Sequence, residues 1–220
     1  VLKRLGDLGA DVHMCERRAG EDGDPSYLRF REAVGAGARP FSVQAIDTPS
    51  TIDGGRTIGW ELAEQAPGLD AVFVQVGGGA LATATSLGLG EVRLSPVQAE
   101  GCAPLRRAWD RLAPGFDFAA AAEHPAEYMW PWGSEPTSAA SGILDDVTYD
   151  WLPLLERTHA TGGEPIVAAE ATIRRAHRLA TSATEVPVSA TGTAGLAGLL
   201  TAPPPVGSRV AVLFTGIERE

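Results

Sequence analysis

The chain has 220 residues and a mass of 22.9 kDa, with 44% hydrophobic residues, enough to bury a substantial core in one large domain or two small ones. Its formal charge of −10 and pI near 4.9 argue against a nucleic-acid partner, because a polyanion demands a positive footprint. Among 18 basic residues only Lys3 is a lysine, and asparagine is absent, so lysine-dependent chemistry must use Lys3 or a residue outside this chain. Cys15 and Cys102 cannot make a zinc site by themselves, and the four histidines do not fall at ligand spacing, so no metal is expected. The weakly polar stretches 116–122 and 186–200 are too short, or too rich in Gly, Ser and Thr, for a bilayer span. The N-terminus does not resemble a signal peptide. A cytoplasmic protein with no membrane partner is the expectation.

In chain order, the apolar positions 1, 2, 5 and 8 have helical spacing, and Gly9 follows as a stop. Residues 11–15 read as a short strand. Asp24-Pro25 is an N-cap followed by proline at the first helical position, opening a helix to about Val34. Residues 40–45 read as a strand. After a polar turn over 47–55, a helix through Trp60 to Gln65 leads to the apolar run Ala71–Val76, a glycine-rich turn, a helix to Leu89 and a strand around 92–99. Residues 114–164 lose periodicity and are expected to be a long irregular region with one or two short helices, the usual mark of a functional loop system or a subunit contact. Helices near 168–180 and 189–200, the breaker Pro203-Pro204-Pro205 and a buried strand over 209–214 complete the chain. This alternation predicts an α/β fold, an open parallel twisted sheet with helices on both faces.

The strongest local signal is Val76-Gly77-Gly78-Gly79-Ala80-Leu81, where a buried strand hands over to a helix. Successive glycines let backbone N–H groups converge at a helix's positive end, which suits a phosphate. A tight turn needing positive φ explains the same run. It matches neither the dinucleotide fingerprint nor the P-loop, although a nucleotide-binding domain remains a lower-ranked reading. Thr48–Thr57 reads as a polar loop and helix start, Ser189–Gly198 as a small-residue helix start, and Val210–Gly216 as a strand delivering the Thr215 hydroxyl at its carboxyl end, where ligands of open α/β sheets sit. Asp146, Tyr149 and Trp151 read as helix cap and core.

Taken in order, these segments resemble the pyridoxal-phosphate enzymes of the tryptophan synthase β-subunit type (fold type II), most of all threonine synthases and serine/threonine dehydratases. Lys3–Val12 is similar to that family's "K…l..lGA.V" stretch, Asp53–Thr57 to "EGqkT", Gly77–Leu81 to the "GGGGL" phosphate loop, Pro187–Ala190 to "EPsGA", and Leu213–Gly216 to the closing "lTG". The likeness spans practically the whole chain.

The resemblance implies that Gly77, Gly78, Gly79, Ala80 and Leu81 hold the phosphate of pyridoxal 5′-phosphate and that Thr215 faces its pyridine nitrogen. It implies a lyase that acts on an amino acid by β- or γ-elimination or replacement, usually as a homodimer. Residues 1–46 would then finish a small α/β domain and 47–220 form the large cofactor-binding domain, with the cofactor between them. The family's Schiff-base lysine and its Gly-Asn motif lie upstream of the first matched stretch. Lys3 matches a non-catalytic lysine, so no catalytic residue is assigned here, and the chain is expected to be the C-terminal portion of such an enzyme, inactive alone. The alternative is a non-catalytic homologue that binds the cofactor or another phosphorylated ligand without a Schiff base. The pattern departs at Val186, where a glutamate is expected, at Ala80, and at Ile217–Arg219.

Overall fold

The computed structural model describes residues 2–44 and 47–217. The chain separates into two compact units, Val1–Pro40 and Phe41–Glu220. In the first unit, α1 (Leu2–Asp7) is followed by α2 (Pro25–Gly35). The sequence sets the start of α2: the Asp24 carboxylate accepts the Ser26 and Tyr27 N–H groups at 2.7 and 2.9 Å, and Pro25 takes the first helical position, where its missing N–H is no loss. The strand expected over 11–15 is absent. Those residues are mostly exposed and pair with no neighbouring strand among the described residues. Likewise 40–44 form no strand, and the remainder of that expected element, Ala45, lies outside the described residues.

The second unit is built on a four-stranded parallel sheet, β1 (Ala71–Gln75), β2 (Arg93–Ala99), β3 (Ile166–Ala168) and β4 (Val210–Val212), in the order β3-β2-β1-β4. Side chains alternate across β1. Val72, Val74 and Val76 pack beneath α4 (Ala80–Leu89), α5 (Pro104–Leu112) and α7 (Trp151–Ala160), in a core with Leu94, Leu105, Trp109 and Leu154. Ala71 and Phe73 face the opposite way, into α8 (Glu170–Ala183) and α9 (Ala194–Thr201), with Val97, Ile166, Ile173 and Ala197. Helices thus cover both faces, as a parallel sheet requires.

Two departures have physical causes, one at 47–55 and one in β4, whereas 114–164 carries the short helices expected of it. The polar stretch 47–55 is largely helical, because α3 begins at Ser50 and runs to Gln65 (Ser50–Gln65). Its glycines are spent on a close crossing with α4: a Cβ on Gly55 would lie 2.7 Å from Ala84 Cβ, and one on Gly59 2.6 Å from Gly88 Cα. The region 114–164 carries α6 (Phe118–Glu123), two 3-10 turns and the ten-residue α7, while α5 and β3 had no distinct periodic signal. Finally, β4 is half-buried rather than buried, because it stands at the edge of the described sheet.

Candidate functional site

At the carboxyl ends of β1 and β4 lies a cavity of about 350 Å³, lined by Gly77–Leu81 and Thr215 together with Gln44, Gln75, Asp145 and Thr191. All six sequence-predicted site residues therefore meet in one place, although 134 positions separate Leu81 from Thr215. Such a crevice forms where neighbouring connections leave the sheet in opposite directions. Here β1 feeds α4 on its way to β2 on one side, while β4 flanks β1 on the other.

The glycine loop is shaped by close approach. Gly79 has φ +104° and caps α4 with no side-chain hydrogen bond. The first helical N–H to find a backbone acceptor there is that of Thr83, on Gly79 O at 3.0 Å, so the donors of the opening turn lack helical partners. Asp145 Oδ2 stands where a Cβ on Gly77 would be, and the Gln44 amide lies 2.6 Å from the corresponding point at Gly78. Side chains larger than hydrogen at 77 and 78 would collide with Asp145 and Gln44.

The loop is braced by residues 145–150 and by the core behind them. The Asp150 N–H donates to Gly78 O at 2.9 Å. Gln98, 1% exposed at the end of β2, donates to Thr148 Oγ1 at 3.2 Å and accepts the Leu105 N–H at 2.9 Å. Cys102 Sγ–H donates to Asp145 O at 3.3 Å, and burial together with the neighbouring Asp145 charge pushes this thiol up to about 11. Asp146 accepts the Tyr149 hydroxyl at 2.5 Å and the Val147 N–H at 3.0 Å and caps no helix, since α7 opens after Asp150 with no side-chain cap bond, while Trp151 is buried at its start. Further along, Ser138 and the Ala139 N–H donate to the Glu170 carboxylate at 2.7 and 3.0 Å, with Arg174 at 2.8 Å.

The two C-terminal motifs are joined backbone to backbone. Ser189 N–H donates to Gly216 O at 2.8 Å, and a Cβ on Gly192 would lie 2.6 Å from Gly216 O. Thr191 Oγ1 accepts the Gly142 N–H at 3.0 Å across the cavity wall. Thr215 Oγ1 accepts a hydrogen bond from Gln75 Nε2. By contrast Asp53–Thr57 lie within α3, outside the cavity lining, with Asp53 and Thr57 exposed. Gln75, Gln98 and Asp145 are the residues that sequence reading missed. The signal for the first two was a polar side chain inside an otherwise buried strand.

Among the described residues no group of His, Cys, Asp and Glu could hold a metal ion, and no helix is long and apolar enough to cross a membrane. In sequence, the family described as pyridoxal-phosphate dependent enzyme matches residues 1–216. No curated protein matches the chain. Among solved structures, the threonine deaminase of T.th. shares 23% identity over 79% of this chain and 59% of its own, with a TM-score of 0.64. Serine racemase from Dictyostelium discoideum shares 18% over 100% and 65%, with a TM-score of 0.72. The processed form of threonine deaminase isoform 2 from Solanum lycopersicum shares 17% over 100% and 59%, with a TM-score of 0.75. The chain thus spans 59–65% of the length of these structures, whose fold it shares.

Proposed function

Since the chain belongs to the pyridoxal-phosphate-dependent enzyme family, we propose that the cavity of the Phe41–Glu220 unit is its cofactor site, with the phosphate held by the backbone of Gly77–Leu81 and the pyridine nitrogen at Thr215. One observation carries this reading: an uncapped helix start behind three glycines and a strand-end hydroxyl line the same cavity. The residues fit the group. Backbone at the glycines is uncovered by any Cβ, and the first-turn donors of α4, which lack helical partners, supply the positive end that a dianion needs. The Asp145 carboxylate beside Gly77 works against a second anion there, so the phosphate contacts are weighted toward Gly79, Ala80 and Leu81.

When bound, the cofactor supplies an electron sink for the α-carbon of an amino acid. Thr215 contributes a neutral hydroxyl, which does not hold the ring nitrogen protonated as a carboxylate would. That makes the sink moderate and suits elimination or replacement better than transamination. Gln44, Ile143 and Asp145 wall the cavity directly against the glycine loop. We read the protein that carries this chain as a lyase acting by β- or γ-elimination or replacement, like threonine synthase or a serine/threonine dehydratase. Two of the three structures above are named threonine deaminases, which favours that class.

A second reading, a homologue that binds the phosphorylated cofactor without bonding its aldehyde, is favoured by one observation. Lys3, the single lysine of the 220 residues, is exposed on α1, and the Phe41–Glu220 unit contains none. Borohydride reduction after adding pyridoxal phosphate separates the two. Done on the full-length protein that carries this chain, a stable adduct that survives Lys3→Ala supports an enzyme whose lysine lies outside these 220 residues, and no adduct supports the second reading.

The site itself is tested with ligands that lack the aldehyde. Pyridoxine 5′-phosphate should bind saturably and roughly tenfold or more tighter than pyridoxine, as about 1.4 kcal/mol of charge-assisted hydrogen bonding requires. Equal affinity for the two, or no binding of either, would overturn the assignment.

A further inference from the structure

We propose that Gln75 is a positioning residue that fixes the Thr215 hydroxyl as a donor toward the pyridine nitrogen, and so keeps that nitrogen unprotonated in the bound cofactor. This rests on the cofactor reading above and adds a residue that it did not contain.

Gln75 ends β1 on the same face as Phe73 and is 5% exposed, the one polar side chain in the run Ala71–Val76. Burying an amide is unfavourable unless both of its ends are bonded. Here only one is: Nε2 donates to Thr215 Oγ1, while Oε1 is buried with no hydrogen-bond partner. A half-satisfied glutamine contributes little to stability at this position, where valine would pack as its neighbours do.

Which end of the amide faces Thr215 decides the chemistry, and α9 supplies the reason. A Cβ on Gly195 would lie 3.2 Å from Gln75 Oε1, so that oxygen rests against the first turn of α9. The opening N–H groups of a helix form its positive end, which favours a carbonyl oxygen and disfavours an NH2 group. The amide N–H is thereby turned to Thr215. Among the described residues, the Thr215 hydroxyl has no other hydrogen bond. Its oxygen already accepts from Gln75, and its own proton has no protein acceptor. A ring nitrogen placed against it is therefore matched as an acceptor, whereas a protonated nitrogen would bring a second donor to the same oxygen and strand the hydroxyl proton. Asp145 is the one charged side chain lining the cavity; its carboxylate lies against Gly77, at the end assigned to the phosphate.

The test binds ring-15N pyridoxine 5′-phosphate, which requires no lysine, to the protein and follows the ring nitrogen resonance from about pH 6 to 9, a span covering neutral pH on both sides. The wild-type complex should hold the unprotonated position throughout. In Gln75→Glu the carboxylate accepts the Thr215 proton, the hydroxyl turns its lone pairs to the ring, and the nitrogen titration should move up by roughly one pH unit or more. Gln75→Met keeps the volume without the amide, and the titration should return toward that of the free ligand. Circular dichroism establishes that the variants fold. A protonated nitrogen in the wild-type complex at pH 7, or one titration common to all three proteins, overturns the role of Gln75 and leaves the cofactor site standing. The wild-type spectrum alone decides that first outcome if neither variant folds. Failure of the wild-type chain to bind the ligand removes the cofactor reading, and this inference with it.

Discussion

Gly79 carries the geometry of the site in one residue. Its φ of +104° lies where an L side chain is strained, and a Cβ there would meet Thr148 Cγ2 at 3.2 Å and Asp150 Cβ at 3.3 Å. Gly79→Ala should lower stability by about 1–3 kcal/mol, measured by urea unfolding, and weaken pyridoxine 5′-phosphate binding, because the first turn of α4 is displaced. A second single-residue effect concerns pH. Burial alone would raise the Glu170 carboxyl, but hydrogen bonds from Ser138 and Ala139 and the Arg174 charge outweigh it and hold the group below the usual range. A carboxyl depressed in the folded state contributes stability that is present above its unfolded value, near 4.3, and lost as pH falls through the folded one. Glu170→Gln should therefore cost about 1 kcal/mol at pH 7, with the difference from wild type closing below roughly pH 4, as denaturation curves at the two pH values would reveal. Neither residue was fully readable beforehand. The glycine run announced a turn, but the partner loops that crowd Gly79 arrive from 148–150, and no spacing rule reaches that far.

Between elements, the decisive contact is the crossing of α3 and α4. Gly59 and Gly88 meet at the crossing, and a Cβ on Gly88 would stand 2.9 Å from Gly59 Cα and 3.1 Å from Trp60 N. Both neighbours are helix backbone and cannot rotate away. Gly88→Ala should destabilise by about 1–3 kcal/mol in chemical denaturation despite alanine's better helix propensity, and an exposed control, Gly54→Ala, which meets nothing within 4 Å, should be neutral or stabilising. Elements with their own signals were legible: α2 through Asp24-Pro25, β1 through unbroken apolar residues, and α4 through the glycines before it. Those that depend on neighbours were not. Residues 11–15 found no strand partner, Asp53–Thr57 became helix with Gly55 fitted against α4, and three-residue β3 exists only by pairing with β2.

At the scale of the whole chain, the two units differ in what holds them. Among the described residues of the first unit only Gly23 is buried, and Leu2, Leu8 and Met14 are 54%, 76% and 75% exposed. The second unit holds two apolar clusters on opposite faces of its sheet. In the 220-residue chain, limited proteolysis should cut first within 1–40 and leave a resistant fragment beginning near Phe41, and amides of α1 should exchange faster than those of β1 by several orders of magnitude. Cleavage at similar rates in both units would contradict this. The sequence by itself determined the class of fold, the two termini of the cavity and the family, because strand runs, caps and glycine turns are written in residues close together along the chain. Only the tertiary structure decided that Leu81 and Thr215 share a cavity, that Asp145 stands against Gly77, and that the Gln75 amide reaches Thr215. Each of those depends on where a parallel sheet returns the chain, and parallel neighbours are joined by crossovers of many residues whose path local periodicity does not encode.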